Sequence, residues 1–572
     1  MRAPALSLKL PVWRSRLVLV FICLVFVAML GRAFYLQGMN NDFLKRKGDA
    51  RYSRVIEISA HRGMITDRNG EPLAISTPVE SVWVSPADLE ITPQQEERLA
   101  NVLEMNVAEV RQKLADSDRD FVYLKRQLPP EQAEKVVQLD IPGVFLKREY
   151  RRYYPAGEVM AHLVGFTDVD DNGQEGMELA YQDVLAGQSG GKRVIKDRLG
   201  RIVEDVQSIR TPQDGQDMAL SIDSKIQYLA YRELRAAVAE HQARAGGIVV
   251  LDAQTGEVLA MANLPAYNPN NRGKMEARKT RNRAVTDLFE PGSTLKPFTV
   301  AAALEAGLVR PDSLIQTDAG RLTIGNATIH DAHPQNVMSV AQVIQKSSNV
   351  GAAKIALSLP PEKMWDMLNQ VGFGSAPHSG FPGEGAGKLR AYQSWRPIEQ
   401  ATMSYGHGIS VSLLQLARAY TIFAADGQLL PVSLLKRDEP PRRVQVVSAK
   451  TARVLRDMLE LVVQPGGTAP QAQVVGYRVA GKTGTAHKLE GNGYAADRYV
   501  SSFVGLAPAS NPRVVVAVMI DEPSAGDYYG GIVAAPVFSR VVAGSLRLLG
   551  VSPDAPHNAP SAGQMPVVKE EV

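Results

Sequence analysis

The chain has 572 residues, too many for one ordinary domain, so two or three domains are expected. Its 45% hydrophobic and 22% charged content is globular, and a net charge of +4 without a long Lys/Arg block does not imply nucleic acid. A single cysteine, Cys23, excludes an internal disulfide and Cys-type zinc sites; no HExxH occurs, His330 and His333 lack an acidic partner pattern, and no metal is expected.

Residues 17–36 are apolar except Arg32 and Gly31, about the length that spans a bilayer. Arg2, Lys9, Arg14 and Arg16 precede them, and no small-x-small cleavage site follows. The segment therefore reads as an uncleaved signal anchor with a cytoplasmic tail over 1–16. Lys45, Arg46 and Lys47 lie beyond it, so charge alone does not orient the span.

Residues 37–220 read as an elongated mixed α+β region. Within it, ITPQQEERLANVLEM predicts a helix with Thr92 as cap, Pro93 in the first turn and Gln95 closing a capping box. A turn-rich break at 210–218 leads to a short strand, ALSI, and then a helix capped by Asp223. Ile226, Leu229, Leu234, Ala237 and Val238 share one face of it. AGGIVVLDAQTGEVLAMAN, from 245 to 263, predicts a hairpin turning at Ala253-Gln254-Thr255-Gly256. Residues 293–460 read as mostly helical. YRVAGKTGTA, YVSSFVGLAP and RVVVAVMID then read as three successive antiparallel strands. Between the first two, LEGNGYAADRY reads as a mobile loop over a cleft, and 552–572 as a disordered tail.

EPGSTLKPF, residues 290–298, carries the chemistry. Ser293 and Lys296 are three residues apart at the start of an apolar helix, so the amine reaches the hydroxyl. A serine is a poor nucleophile until a base takes its proton, and a desolvated lysine near other cations can be that base. Alone, S-x-x-K also suits a capping serine beside a surface lysine. Two further motifs follow in order: Ser347-Ser348-Asn349, and Lys482-Thr483-Gly484-Thr485 on a predicted strand. S-x-x-K, S-x-N and K-T-G in that order are the signature of penicillin-binding proteins and serine β-lactamases.

On these motifs, and on RGMITDRNG (62–70), RYYPAG (152–157) and GQEGME (173–178), the chain resembles the class B penicillin-binding proteins over nearly its whole length. AHLVGFTDVDDNGQEGMEL and FEPGSTLKPF resemble the division-type (FtsI) branch most, with the elongation type as the alternative. The resemblance implies an α+β fold: a penicillin-binding/serine β-lactamase-like transpeptidase domain over 221–551, an antiparallel sheet with helices on both faces. A pedestal of the dimerisation type over 37–220 and one transmembrane helix would complete it.

It further implies a peptidoglycan D,D-transpeptidase acting in septal cell-wall synthesis, using no cofactor. Ser293 would attack the carbonyl between two terminal D-alanines and release one. Lys296 would take the serine proton; Ser347 would relay it toward the leaving amine. Asn349 would orient Lys296 and bind the donor peptide, and Lys482 would set the electrostatics at Ser347. Thr483, Gly484 and Thr485 would bind substrate, the threonine hydroxyls holding its carboxylate. The N–H groups of Ser293 and Thr485 would form the oxyanion hole. The implied partners are stem pentapeptides and lipid-linked glycan strands, β-lactams as covalent inhibitors, an FtsW-type glycan polymerase and other divisome proteins. The implied location is the bacterial inner membrane, single-pass, with a periplasmic catalytic domain.

Tyr405 and His407, in SYGHGIS, resemble a Y-G-x-G loop of the family. They either line the pocket or belong to a turn packed on the core, and they are not counted as catalytic. A serine β-lactamase is the nearest rival; no E-x-x-L-N follows the S-x-N, and such an enzyme needs neither anchor nor pedestal. A β-lactam sensor would be expected to carry more spans or a cytoplasmic output domain, and the intact motif set argues against a purely non-catalytic scaffold.

Overall fold

The computed structural model describes residues 12–36, 53–86, 89–115, 121–196, 202–271, 273, 276–490 and 493–555. Much of the expected cytoplasmic tail, the basic segment at 45–47 and residues 556–572 of the expected C-terminal tail fall outside them.

Val12–Phe34 forms one 23-residue helix with no buried residue and a mean hydropathy of 2.7 over its best window. It starts earlier than residue 17, so Arg14 and Arg16 lie in its first two turns and Arg32 in its last. Cys23 is exposed on it. Its length and composition suit a membrane span. A second apolar stretch, Gly530–Leu548, is about half buried and serves as a core helix.

The described residues fall into two compact units, one from 1–60, 78–149 and 188–214, the other from 61–77, 150–187 and 215–572. In the first, Ser53–Ile58, Gly190–Lys196 and Ile202–Arg210 form a three-stranded antiparallel sheet. A separate core gathers Val82, Val84, Leu99, Leu124, Leu128 and Val136. The helix Pro93–Val102 bears the expected capping box: Thr92 Oγ1 accepts from Gln95 N–H while Gln95 Oε1 accepts from Thr92 N–H. Each end thereby satisfies a backbone donor that a helix start leaves open.

The second unit includes all three motif segments expected of the pedestal, and each supplies one charged residue to a buried triad. Glu178 Oε2 accepts from Arg62 Nε at 2.7 Å, and Oε1 from Arg152 Nε at 2.6 Å. Arg62 also donates to the carbonyls of Asp171 and Glu178 and to Gln182 Oε1; Arg152 donates to Ser76 Oγ. All three charged residues are at most 2% exposed. Turn chemistry alone does not require such residues, so the motifs are held by charge pairing as well as by turns.

His162 is buried beside this region, its Nε2 2.8 Å from the Lys279 carbonyl. Burial, and then the charge of Arg283, pushes its pKa down to about 4. An unfolded histidine titrates near 6.5. As pH falls through 6.5 the unfolded chain takes a proton that the folded chain refuses until about pH 4. The neutral ring's contribution is therefore complete above 6.5 and is lost from there down to about 4, roughly 3 kcal/mol in all. The unfolding free energy of the wild type minus that of His162→Gln should fall by this amount between pH 7.5 and 4. A difference that stays flat across that range would exclude it.

The second unit is built on a five-stranded antiparallel sheet. In space the order is Val258–Leu264, Ala245–Asp252, Val514–Asp521, Gly493–Ala507 and Ala480–Glu490. The predicted hairpin and the three predicted strands thus form one sheet. Successive strand residues point to opposite faces. A Cβ on Gly246 would lie 2.9 Å from Val238 of the helix Ser224–Glu240; one on Gly247 would lie 3.2 Å from Leu413 of the helix Leu413–Ala419. Helices therefore cover both faces. Ala245–Asp252 and Val514–Asp521 are buried at every position, which explains their unbroken apolar runs. Asp223 caps Ser224–Glu240 as expected, accepting from Lys225 and Ile226 N–H.

Two expectations change. The middle region is helical, but Leu314–Gln316 pairs with Val337–Ser339, and Arg321–Ile324 with Ala327–His330. Strands of three or four residues are too short to show a period. LEGNGYAADRY is no simple loop: Leu489 pairs with Tyr494 and Glu490 with Gly493. Once the flanking strands are paired, continuing the ladder satisfies backbone groups that a loop would leave to water.

Candidate active site

Pro291 leads into a short 3-10 turn, Gly292–Leu295, which passes directly into the helix Lys296–Glu305. Ser293 is 5% exposed and Lys296 fully buried. Lys296 Nζ donates to Ser293 Oγ at 2.8 Å, as the i, i+3 spacing predicts. Thr294 Oγ1 donates to the Pro291 carbonyl, and Tyr420 OH donates to that of Thr294. These bonds pin the turn that presents the serine.

Ser347 follows the helix Val340–Gln345 and precedes the helix Asn349–Leu357. Its φ is +62°, a left-handed conformation that non-glycine residues rarely adopt. Strain of this kind costs about 1–3 kcal/mol and tends to gather at functional sites. Here it turns two oxygens of one residue toward Lys296: Nζ lies 2.5 Å from the Ser347 carbonyl and 3.0 Å from its Oγ. Asn349 opens the next helix, 8% exposed, with Nδ2 donating to the His330 carbonyl at 3.4 Å.

Lys482, Thr483, Gly484 and Thr485 lie on the edge strand of the large sheet. Half the backbone groups of an edge strand are left unpaired by the sheet. Lys482 is fully buried, and its Nζ donates to Ser347 Oγ at 2.8 Å and contacts Thr483 Oγ1 at 3.1 Å. Thr483 Oγ1 also bonds Thr468 Oγ1, and Thr485 Oγ1 accepts from Gly530 N–H. Gly484 is small for a measurable reason. A Cβ there would lie 2.7 Å from Ser502 Oγ and 2.8 Å from the Pro291 carbonyl, so the strand could not close on the serine turn.

Ser293, Lys296, Ser347 and Lys482, distant in sequence, thus share one hydrogen-bonded chain. Two amines converge on one hydroxyl oxygen. Burial disfavours the charged form of an amine, and so does a second cation beside it. The arrangement can carry a proton from Ser293 Oγ through Lys296 to Ser347 Oγ.

Tyr405 and His407 sit at this site's edge, and the bonds around them involve residues that no motif marks. Glu290, 7% exposed, accepts from Gly408 N–H at 2.8 Å and from Tyr494 OH at 3.0 Å. His407 Nδ1 is 3.8 Å from Glu290 Oε2. Burial, then the charges of Lys296 and His487, pushes the His407 pKa down to about 4, and burial pushes that of Glu290 up. At neutral pH the pair is therefore no salt bridge. Glu290 stands three residues before Ser293, and Thr468 fifteen before Thr483; only the fold brings Thr468 and Tyr494 to the site.

Two known domain families match the chain. Residues 57–220 match the penicillin-binding protein dimerisation domain, and residues 246–543 the penicillin-binding protein transpeptidase domain. The chain is 46% identical over 550 residues to a probable peptidoglycan D,D-transpeptidase, PenA, of Neisseria gonorrhoeae, covering 96% of this chain and 94% of that one. It is 42% identical to the peptidoglycan D,D-transpeptidase FtsI of Escherichia coli K12, covering 95% and 93%. Among solved structures, penicillin-binding protein 3 of Mycobacterium tuberculosis, complexed with aztreonam, superposes with a TM-score of 0.69 at 30% identity, covering 90% of this chain and 100% of that one. The TP domain of Burkholderia pseudomallei penicillin-binding protein 3 gives 0.55 at 52% identity, covering 59% and 97%. With both domains matched in order and relatives this similar along nearly its full length, the chain belongs to the class B penicillin-binding proteins.

Proposed function

We propose that the chain is a serine-type peptidoglycan D,D-transpeptidase of the division type, crosslinking stem peptides during septal cell-wall synthesis. The observation that carries this is the pair of buried amines on Ser347 Oγ, one of them also 2.8 Å from Ser293 Oγ. Similarity to FtsI of E. coli favours the division type over the elongation type.

In the first half-reaction Ser293 Oγ bonds to the carbonyl carbon of the penultimate D-alanine, and its proton passes to Lys296. Backbone N–H groups of Ser293 and Thr485 stabilise the oxyanion. Collapse breaks the bond to the terminal D-alanine, whose amine receives a proton by way of Ser347. Lys482 keeps Ser347 Oγ in place; Thr483 and Thr485 hold the substrate carboxylate beside Gly484, and Asn349 holds the donor peptide. In the second half-reaction an amine of a neighbouring stem peptide attacks the ester, loses a proton to the same relay, and Ser293 is restored. A β-lactam enters as an analogue of the first substrate and stays as an acyl group. The apolar helix Val12–Phe34 supports anchoring in the inner membrane with the catalytic unit in the periplasm, where stem peptides and lipid-linked strands occur. An FtsW-type polymerase and other divisome proteins are the partners this placement calls for.

Intact-mass analysis after reaction with penicillin, with mapping of the modified peptide, tests the reading: the adduct belongs on Ser293. Turnover separates a transferase from a β-lactamase. No E-x-x-L-N follows Ser347-Ser348-Asn349 to place a glutamate for activating water. A chromogenic cephalosporin in excess should give one stoichiometric burst and then a very slow steady state. Sustained hydrolysis at about 1 per second or faster would make the chain a β-lactamase.

A further inference from the structure

Asp331 belongs to none of the three motifs. It directly follows the short strand Ala327–His330 and is 7% exposed. Its own N–H donates to the Gly320 carbonyl at 2.9 Å. Gly320 has φ +73°, and a Cβ there would lie 3.1 Å from the Asp331 Cβ and 2.9 Å from Pro334 Cα. The backbone is thus fitted around this carboxyl group.

Both carboxylate oxygens reach the turn that carries Ser347. Ser348 Oγ donates to Oδ2 at 2.6 Å, and Val350 N–H donates to Oδ1 at 2.9 Å. Ser348 Oγ in turn accepts from Gly351 N–H at 2.8 Å, so it caps the helix Asn349–Leu357 while bound to Asp331. Next door the His330 carbonyl accepts from Asn349 Nδ2. Ser347 sits immediately before this clamp at φ +62°. A residue in that conformation drifts to an ordinary one unless its surroundings over-determine it. Glycine would adopt the conformation freely but has no hydroxyl to offer.

We propose that Asp331 is a positioning residue for acyl transfer. By clamping Ser348 and Val350 it holds Ser347 in its left-handed conformation, with both Oγ and carbonyl on Lys296 and Oγ on Lys482. This rests on the transpeptidase reading above and adds a residue that acts through the turn without touching substrate. The proton relay runs through Ser347, so misplacing it slows bond formation rather than binding. An error of about 1 Å in such a geometry is worth about 10²-fold in rate.

The test is acylation of the full chain in detergent by a fluorescent penicillin, resolving the rate constant k2 from the dissociation constant of the non-covalent complex. The labelling end point counts folded molecules. Asp331→Ala should lower k2 by about 30–100-fold and leave the dissociation constant within about threefold, as a residue without substrate contact requires. Asp331→Asn keeps an oxygen for Val350 N–H and should recover most of the rate. A merely structural role would lower the end point or melting temperature and leave k2 of the folded fraction unchanged. The proposal is overturned if k2 of Asp331→Ala stays within threefold of wild type, or if the loss appears in the dissociation constant. If Asp331→Ala does not fold, Ser348→Ala decides: a tenfold fall in k2 supports the clamp, and less than threefold removes it. Failure of wild-type protein to label at Ser293 would instead sink the transpeptidase reading.

Discussion

Ser293→Ala should abolish covalent labelling by penicillin while the protein stays folded. The hydroxyl is the acceptor of a 2.8 Å bond from Lys296, and its loss leaves that amine two oxygens of Ser347. The stability change is accordingly small, about 1–2 kcal/mol. Lys296→Ala should keep the nucleophile but lower the acylation rate by roughly 10²–10⁴-fold, the range a general base contributes. Its stability effect is harder to offset, because Lys296 is fully buried and Ser347 loses partners for both oxygens. Labelling followed by gel fluorescence, alongside circular dichroism of each variant, checks both. An adduct that persists in Ser293→Ala, on Ser347 for instance, would reverse the assignment of nucleophile.

The largest loss of stability should come from Glu178→Ala. This carboxylate faces Arg62 and Arg152, and none of the three is more than 2% exposed. Removing it leaves two guanidinium groups buried without their counter-charge, and breaking a buried pair in this way costs about 3–5 kcal/mol. Against a net stability of about 5–15 kcal/mol that is a large share. The melting temperature should drop by roughly 5–10 °C. Replacing all three by apolar residues of similar volume should be much milder, because no charge is then stranded. Differential scanning calorimetry of the two variants compares these outcomes directly. Equal losses would show that the arginines' other hydrogen bonds, to Gln182, Ser76 and the Asp171 carbonyl, carry the region instead.

The chemistry of this chain was legible in its sequence because it is local. Ser293 and Lys296 meet through helical spacing alone. Asp223 and the Thr92–Gln95 pair cap their helices through bonds within three residues. The buried strands Ala245–Asp252 and Val514–Asp521 announce themselves by apolar runs, since both faces of the sheet are covered. The order of S-x-x-K, S-x-N and K-T-G pointed to the family.

What the tertiary structure decided is everything that depends on distant backbone. Lys482 reaches Ser347 across 135 residues, and the left-handed turn of Ser347 has no signature in Ser347-Ser348-Asn349 itself. Glu290, Tyr494, Thr468 and Asp331 belong to no motif, and each forms its bonds with segments far along the chain or on another element. Arg62, Arg152 and Glu178 read as parts of separate turns; burial made them one triad. The reason is common to all of these. A periodic pattern records which face of an element is apolar, whereas the partner of a buried polar group is fixed only when the chain closes around it and every donor and acceptor must be satisfied.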